Sequence, residues 1–312
     1  MIPFKNNSLI LAPMAGITDS GFRRICRKYG ADITVSEMVS SKGIYYGDKK
    51  TETLLKFTED ECPIIIQIFG HDSDCMKRAA EYISLNYSPI AIDINMGCPA
   101  PKIYQNGDGC ALMKNHELAY NVIQSVKNNT NLPVSVKFRI GTDDNNICAV
   151  EFAKMCQQAN ADFITVHGRT REQFYSGESN HEIIRNVVNS VNIPVIANGD
   201  IVDKFTADKA LAYTGAHSIM IGRGALGSPT VFSRIKKLNV NESIFDIALE
   251  HLSYIIEDKP EFVAVKEFRK HLLWYFKGLR NAAHYKRTVN TVSTYDDCKR
   301  LLNIVKEENQ GI

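Results

Sequence analysis

Eight short apolar runs recur between residue 9 and about residue 225. Each closes on glycine or a polar residue, and a helix-like segment follows. The runs are LILAP (9–13), ADITVSEM (31–38), PIIIQIFG (63–70), IAIDINMG (90–97), PVSVKFRIG (133–141), ADFITVHG (161–168), PVIANGD (194–200) and SIMIGRG (218–224). Most are β-branched and nearly continuous, the pattern of parallel strands covered on both faces. Helical stretches separate them, among them Asp74–Asn86, His116–Asn128 and Asp203–Thr214. Eight strand–helix units in this length predict a (β/α)8 barrel, for which about 250 residues is typical. An open doubly wound sheet also alternates, but it normally has fewer strands and a glycine fingerprint after the first, absent here. After about residue 240 the strand signals vanish and the chain reads as helices, with KKLNVNES (236–243) as the linker. The expected architecture is α/β: a TIM barrel over residues 1–238, then a small all-α domain over 239–312.

The composition, 44% hydrophobic and 23% charged, is that of a soluble globular chain. The opening MIPFKNNSLILAP lacks a basic stretch followed by a long apolar one, so no signal peptide is expected. No apolar stretch reaches about 18 residues, so no membrane span is expected. The eight cysteines form no C-x-x-C pair, which argues against a zinc ribbon or a thioredoxin-type motif. Without an export signal, reduced thiols in a cytoplasm are the expectation.

Polar residues gather at the C-terminal ends of the runs: Gln67, Asn95, Cys98, Lys137, Arg139, His167, Arg169, Asn198, Asp200 and Arg223. In a barrel these ends converge on one rim, where such enzymes build their sites. Any one of them has a structural reading, as an ion-paired lysine does for Lys137, but ten on one rim exceed what packing requires. NGDI (198–201) and GRGALGSP (222–229) follow the last two runs, the second opening a helix. Glycine-rich turns and helix N-termini there offer backbone N–H groups to phosphate, and Arg223 adds a charge. The alternative is that these glycines only make tight turns. Lys137 suits a ring that becomes anionic, as reduced flavin does, and Gln67 and His167 suit its polar edge. The APMAG segment, with Pro13, Met14 and Ala15, lets backbone approach a flat ligand. FMN satisfies both the phosphate turns and this polar set, whereas a sugar phosphate satisfies the turns alone.

One thiol stands in an unusual place. DINMGCPAPK (93–102) ends a strand near Met96 and turns through Gly97, Cys98 and Pro99. Glycine is expected to supply an unusual torsion there and proline to fix the next. A Cys–His nucleophile with His167 remains open. So does a general acid, because a thiol near its ordinary pKa of about 8.5 stays mostly protonated at neutral pH. Cys110, in NGDGCALM, reads as packing at a helix start. The segment Ala264–Asn290 carries seven Lys or Arg against one acid, Glu267, in a chain of net charge +2. Lys266, Arg269, Lys270 and Lys277 fall on one helical arc opposite Val265, Phe268 and Leu272, and Gly278 reads as the helix's end. A solvated face explains four charges, but the charge asymmetry suits a polyanion such as RNA.

Taken together, LAPMAGITDSGFR (11–23), SEM (36–38), DINMGCPAPK (93–102), NGDGCALM (106–113), VKFRIG (136–141), HGRTREQFYSG (167–177), ANGDI (197–201), IGRGALGSP (221–229) and RKHLLWYFKGL (269–279) make the chain resemble the tRNA-dihydrouridine synthases, most closely their bacterial B-type branch. The resemblance covers nearly the whole length, and the combination of motifs carries it. It implies an FMN-bound barrel followed by a helical tRNA-binding domain. It implies reduction of the C5–C6 double bond of a D-loop uridine in tRNA, with NADPH or NADH reducing the flavin first. By resemblance Cys98 donates the proton to C5 while flavin N5 delivers hydride to C6, and Asn95 contacts the target uridine. Gln67, Lys137 and His167 would bind the flavin ring, with Asn198, Gly199, Asp200, Gly222 and Arg223 near its ribityl chain and phosphate. Arg139, Arg169 and Arg171 would face the substrate nucleotide, with Lys266, Arg269 and Lys270 on the tRNA surface. The target base must leave its stack to react, as in base-flipping enzymes. Cys110 departs from the family pattern, where a small residue such as Ser is expected. Two other readings are an FMN barrel reductase of a small molecule, similar to dihydroorotate dehydrogenase, and a catalytically dead RNA-binding barrel. The basic segment speaks against the first, and the Cys98, Lys137 and His167 set against the second.

Overall fold

The computed structural model describes residues 3–309. The eight apolar runs form a closed barrel of parallel strands. They are β1 (Leu9–Leu11), β2 (Ile33–Val35), β4 (Ile64–Phe69), β5 (Ala91–Met96), β6 (Val134–Arg139), β7 (Phe163–His167), β8 (Val195–Asn198) and β9 (Ser218–Ile221). β1 pairs with both β2 and β9, and β2 pairs with β4, which closes the ring. A two-residue β3 (Val39–Ser40) pairs only with the end of β4. The second run, expected to continue through Met38, is therefore split after Val35. The Ser36 hydroxyl accepts the Gln67 amide at 3.0 Å, so a side chain serves where a ladder carbonyl otherwise would.

Side chains alternate in and out along each strand with period two. Ile10, Ile33, Ile65, Ala91, Phe163, Ile196 and Met220 point inward and form the apolar floor of the barrel. Leu11, Ile66, Ile92, Val136 and Ile164 point outward into the larger core under the surrounding helices. One period above the floor the inward residues of β4, β5, β7 and β8 turn polar, as Gln67, Asp93, Thr165 and Asn198. The sequence thus places the site at the upper end of the strands and seals it from below.

The connecting helices begin at acceptor side chains. Asp72 caps Ser73–Asn86, Asn115 caps His116–Lys127, and Asp203 forms a capping box with Thr206 at Lys204–Thr214. Each cap contributes about 1 kcal/mol. After Lys237, which ends the Val231–Lys236 helix at φ +57°, four further helices follow: Ile244–Asp258, Glu261–Tyr275, Ala282–Thr288 and Tyr295–Glu308. They bury a cluster of their own around Leu252, Phe268, Leu272, Tyr285 and Leu302. The first of them lies against the barrel helix Ser20–Lys28. Gly21 makes that approach possible, because a Cβ there would stand 2.5 Å from Ile255 Cγ1. Arg24–Glu257 and Lys28–Glu250 ion pairs, each at 2.6 Å, flank the contact. Among the described residues no helix is long and apolar enough to cross a membrane.

Candidate active site

Above the floor, a line of hydrogen bonds crosses three strands. Ser135 Oγ donates to Asp93 Oδ1 at 2.5 Å, and Gln67 Nε2 donates to Asp93 Oδ2 at 2.7 Å. Asn95 Nδ2 donates to Gln67 Oε1 at 2.8 Å. Asn95 Oδ1 then accepts the Cys98 amide at 2.9 Å and the Gly97 amide at 3.2 Å. Ser135, Asp93 and Gln67 are buried, and burial raises the Asp93 carboxyl against the opposing hydrogen bonds from Ser135 and Gln67. This line orients both ends of the Gln67 and Asn95 amides, which fixes the turn carrying Cys98.

Cys98 is half-buried and its backbone is held from two sides. Its carbonyl accepts the Cys110 amide at 3.2 Å. Gly109, at φ +60°, stands behind it so closely that a Cβ there would lie 3.0 Å from Cys98 Cβ. Gly97 differs from expectation. Its φ is not positive, and a side chain is disfavoured instead by the neighbouring strand, because a Cβ would stand only 3.2 Å from the Phe138 backbone. Burial raises the Cys98 thiol above its ordinary value, more than the Ala100 amide and the Arg139 and Lys137 charges lower it. The thiol therefore stays protonated at neutral pH. Cys110 is packing, as expected: buried, pushed up to about 12 by desolvation, its sulfur 3.6 Å from Met113 Sδ.

Lys137 stands opposite Asn95 in the β5–β6 register, and His167 opposite Asn198 in the β7–β8 register. Lys137 Nζ donates to Asn198 Oδ1 at 3.1 Å, and Asn198 Nδ2 donates to the Met220 carbonyl at 2.8 Å. Burial, together with the Arg139 charge, brings Lys137 down to about 8. Burial and the Lys137, Arg139, Arg169 and Arg223 charges hold His167 far below its ordinary value, so its imidazole is neutral. That state leaves one nitrogen as donor and one as acceptor.

The arginines of the rim are also tied to the protein. Arg139 and Arg169 are both buried. Arg139 donates to the carbonyls of Gly97, Thr170 and Phe174, at 3.0, 2.8 and 2.9 Å. Arg169 donates to the carbonyls of Ser176 and Gly177 and to Asp200 Oδ2, at 3.0, 2.6 and 2.9 Å. Together they hold the 170–177 loop beside the Cys98 turn. Asp200 is likewise occupied. It pairs with Arg169 at 2.8 Å, accepts the Ser179 amide at 2.7 Å, and lies 3.5 Å from Arg223. Burial raises its carboxyl, and the hydrogen bonds from Arg169 and Ser179 outweigh that and lower it. Asp200 thus aims arginines rather than meeting an anion itself. Arg171 is the exception, its guanidinium 3.7 Å above the Tyr104 ring.

The two glycine turns lie side by side. Gly199 (φ +130°) and Asp200 (φ +53°) adopt left-handed torsions, and Gly224 packs so tightly that a Cβ would lie 2.2 Å from the Ile201 carbonyl. The turn after β9 is a single 3-10 turn, Arg223–Ala225, and the next helix opens only at Val231, not directly on the turn as expected. Among the described residues, the amides of Gly199, Asp200 and Gly222 donate to no backbone carbonyl. Arg223, over the Tyr175 ring at 4.7 Å, flanks them. From the first loop, Met14 Sδ lies 3.6 Å from where a Gly222 Cβ would stand, while Pro13 is half-buried and Ala15 is exposed beside it.

The basic segment is also less uniform than its helical arc suggests. Within the Glu261–Tyr275 helix, Lys266 is exposed, whereas Arg269 donates to the Val292 carbonyl at 2.9 and 2.7 Å. Lys270 donates to the Gly16 carbonyl of the barrel, and Lys277 lies beyond the helix end. Gly278, at φ +85°, follows that end as expected. Asp93, Ser135, Tyr104 and Tyr175 escaped the sequence reading. Asp93 and Ser135 had a signal, since each sits two residues before a nominated neighbour on the same strand face. The two tyrosines had none, because their partners come from distant loops.

The chain also matches known proteins over most of its length. A family model described as dihydrouridine synthase matches residues 10–309. A probable tRNA-dihydrouridine synthase of Rickettsia conorii is 39% identical over 92% of this chain and 90% of its own length. The tRNA-dihydrouridine synthase B of Pasteurella multocida is 36% identical over 92% of this chain and 89% of its own. Among solved structures, a 2-naphthoyl-CoA reductase complex superposes with a TM-score of 0.57 at 12% identity. The match spans 74% of this chain and 50% of that one, a likeness of fold.

Proposed function

The chain belongs to the dihydrouridine synthase family, and from that membership and the rim geometry we propose that it is a flavin-dependent reductase of a uridine in tRNA, with Cys98 as the acid. Its residues fit FMN on the chemistry of their donors. The amides of Gly199, Asp200 and Gly222 that meet no backbone carbonyl, together with Arg223, suit a single phosphate. Asn198 and Met14 suit the chain between phosphate and ring. Lys137 suits the ring edge that gains negative charge, and neutral His167 and the remaining amide hydrogen of Gln67 suit its carbonyls. When bound, the flavin supplies the hydride for C6 of the uracil, and NADPH or NADH restores it.

The acid step belongs to the protein. As hydride arrives at C6, the C5 carbon takes a proton from Cys98 Sγ, and the thiolate left behind recovers its proton from solvent. One hydride and one proton together saturate the double bond. Nearby Arg139 and Lys137 stabilise the transient thiolate. The raised thiol argues for an acid and against a standing thiolate nucleophile, and His167, held neutral among four cations, offers no ion-pair partner. Arg171 over Tyr104 offers a flat cation for the extruded nucleotide, and the C-terminal helices, with exposed Lys266 among their basic residues, offer the tRNA surface.

The observation that supports this reading most is Asn95 holding the Cys98 amide while the rest of its amide is locked through Gln67 to Asp93. A buried structural thiol needs no such support. The test is to denature the purified protein, identify the released chromophore, and assay dihydrouridine formation in unmodified tRNA. FMN with NADPH- or NADH-driven product is expected. A protein without flavin, or one that reduces only free pyrimidines, would overturn the reading.

A further inference from the structure

Away from the rim, two histidines of the C-terminal helices meet the aspartate that caps the barrel's first helix. Candidate ligand atoms of Asp19, His251 and His271 all lie within 4.8 Å of one another. The imidazoles are 0% and 1% exposed. Buried ring nitrogens normally have hydrogen-bond partners. Here His251 Nε2, both nitrogens of His271, and Asp19 Oδ2 have none. The remaining atoms of two of these residues are fixed by neighbours. His251 Nδ1 lies 3.2 Å from the Tyr275 hydroxyl, and Asp19 Oδ1 accepts the Phe22 amide at 3.0 Å. In each of the two, one atom sets the orientation and the other, without a hydrogen-bond partner, faces the cluster, the support that metal ligands commonly have.

The two imidazoles stand 4.5 Å apart between centroids at an interplanar angle of 74°. Two imidazoles on one tetrahedral ion, with metal–nitrogen bonds of about 2.0–2.1 Å, have centroids about 5 Å apart, so a small opening of the pair admits the ion. Two cations face the cluster: Lys270, which donates to the Gly16 carbonyl, and Lys259, which pairs with Glu267 at 2.6 Å and more distantly with Asp19 Oδ2 at 3.6 Å, a contact the ion would have to displace. Glu37, whose buried Oε1 also lacks a partner, adds a carboxyl on the same side. Burial, then the Asp19 charge, raises it.

We propose that Asp19, His251 and His271 form a two-histidine, one-carboxylate site for a borderline divalent cation, zinc foremost, with solvent completing its coordination. Two nitrogens and one oxygen suit zinc and its neighbours and poorly suit magnesium or calcium. Asp19 belongs to the barrel and both histidines to the C-terminal helices, so the ion would pin the angle at which those helices meet the barrel. The site shares no residue with the flavin rim or with Cys98.

The test is metal binding to the full chain. Protein stripped with chelator is titrated with Co2+ and then Zn2+, following visible absorption, bound metal per chain and unfolding temperature. One Co2+ per chain, displaced by Zn2+, with a raised unfolding temperature, is expected. Asp19→Asn keeps the cap acceptor, so it should unfold like metal-free wild type yet bind at least about 100-fold more weakly; Tyr275→Phe should lose about 10–100-fold. No uptake at equimolar metal by the wild type would overturn the proposal. Unchanged uptake by both Asp19→Asn and His271→Gln would do the same.

Discussion

Asn95 Oδ1 accepts the Cys98 backbone amide at 2.9 Å, so the residue read as a uridine contact is also the support of the thiol. Removing that support should separate placing the acid from having one. Asn95→Ala keeps Cys98 but frees its turn and leaves the buried Gln67 carbonyl without its donor. A rate loss of roughly 10–100-fold in dihydrouridine formation is expected, since small misplacements cost that much. Flavin reduction by NADPH should be nearly unchanged. Equal losses in both half-reactions would show that Asn95 serves the flavin instead.

Gly109 tests the same placement from behind. Its φ of +60° and the 3.0 Å approach to Cys98 Cβ exclude a side chain. Gly109→Ala should slow tRNA reduction while retaining flavin, and Gly107→Ala, which carries similar backbone strain at φ +86° but meets only His71 at 3.5 Å and not Cys98, should slow it less. The ratio of the two single-turnover rates reads the difference.

Lys137 gives a pH signature. Its folded value near 8 lies below the ordinary lysine value, so its charge is present at neutral pH and lost as pH rises through about 8. If that cation holds the flavin, FMN affinity weakens above pH 8, by up to about tenfold per unit. Lys137→Met should bind FMN more weakly and with a flat profile. Parallel profiles in the two proteins would remove Lys137 from the flavin site.

The basic helix now divides into two predictions. Lys266→Ala should weaken tRNA binding and reduce its salt slope by about one, with stability unchanged, because the side chain is exposed. Arg269→Ala should lower stability, because its guanidinium holds the Val292 carbonyl. Denaturant titration beside tRNA binding at several salt concentrations distinguishes them.

A stability prediction concerns Glu61, fully buried against Arg23 at 2.5 Å and accepting from Ser20 and Thr58 at 2.7 and 2.9 Å. Glu61→Ala leaves a buried guanidinium unpaired and should cost about 3–5 kcal/mol in unfolding experiments.

Much of this was legible from sequence, because β-branched runs and period-two alternation are local signals. Gln67, Lys137, His167 and Asn198 could be placed on one rim by counting upward from Ile65, Ser135, Phe163 and Ile196. What stayed hidden depends on long-range return of the chain. Arg139 is occupied by carbonyls of Thr170 and Phe174, over thirty residues later, and Arg269 by Val292. Nothing local to either arginine announces such a partner. Gly97 was misread for the same reason, since its constraint is the neighbouring strand at Phe138 rather than its own torsion.

The central claim is that Cys98 is the acid for the base and has no part in holding or reducing the flavin. The direct measurement is single-turnover oxidation of prereduced Cys98→Ala by unmodified tRNA, with flavin content and NADPH-driven reduction measured on the same sample. Full flavin content and normal reduction are expected, with tRNA-dependent oxidation slowed about 10²–10⁴-fold, and Cys110→Ala close to wild type. A near-wild-type oxidation rate in Cys98→Ala, or loss of its flavin, would contradict the account.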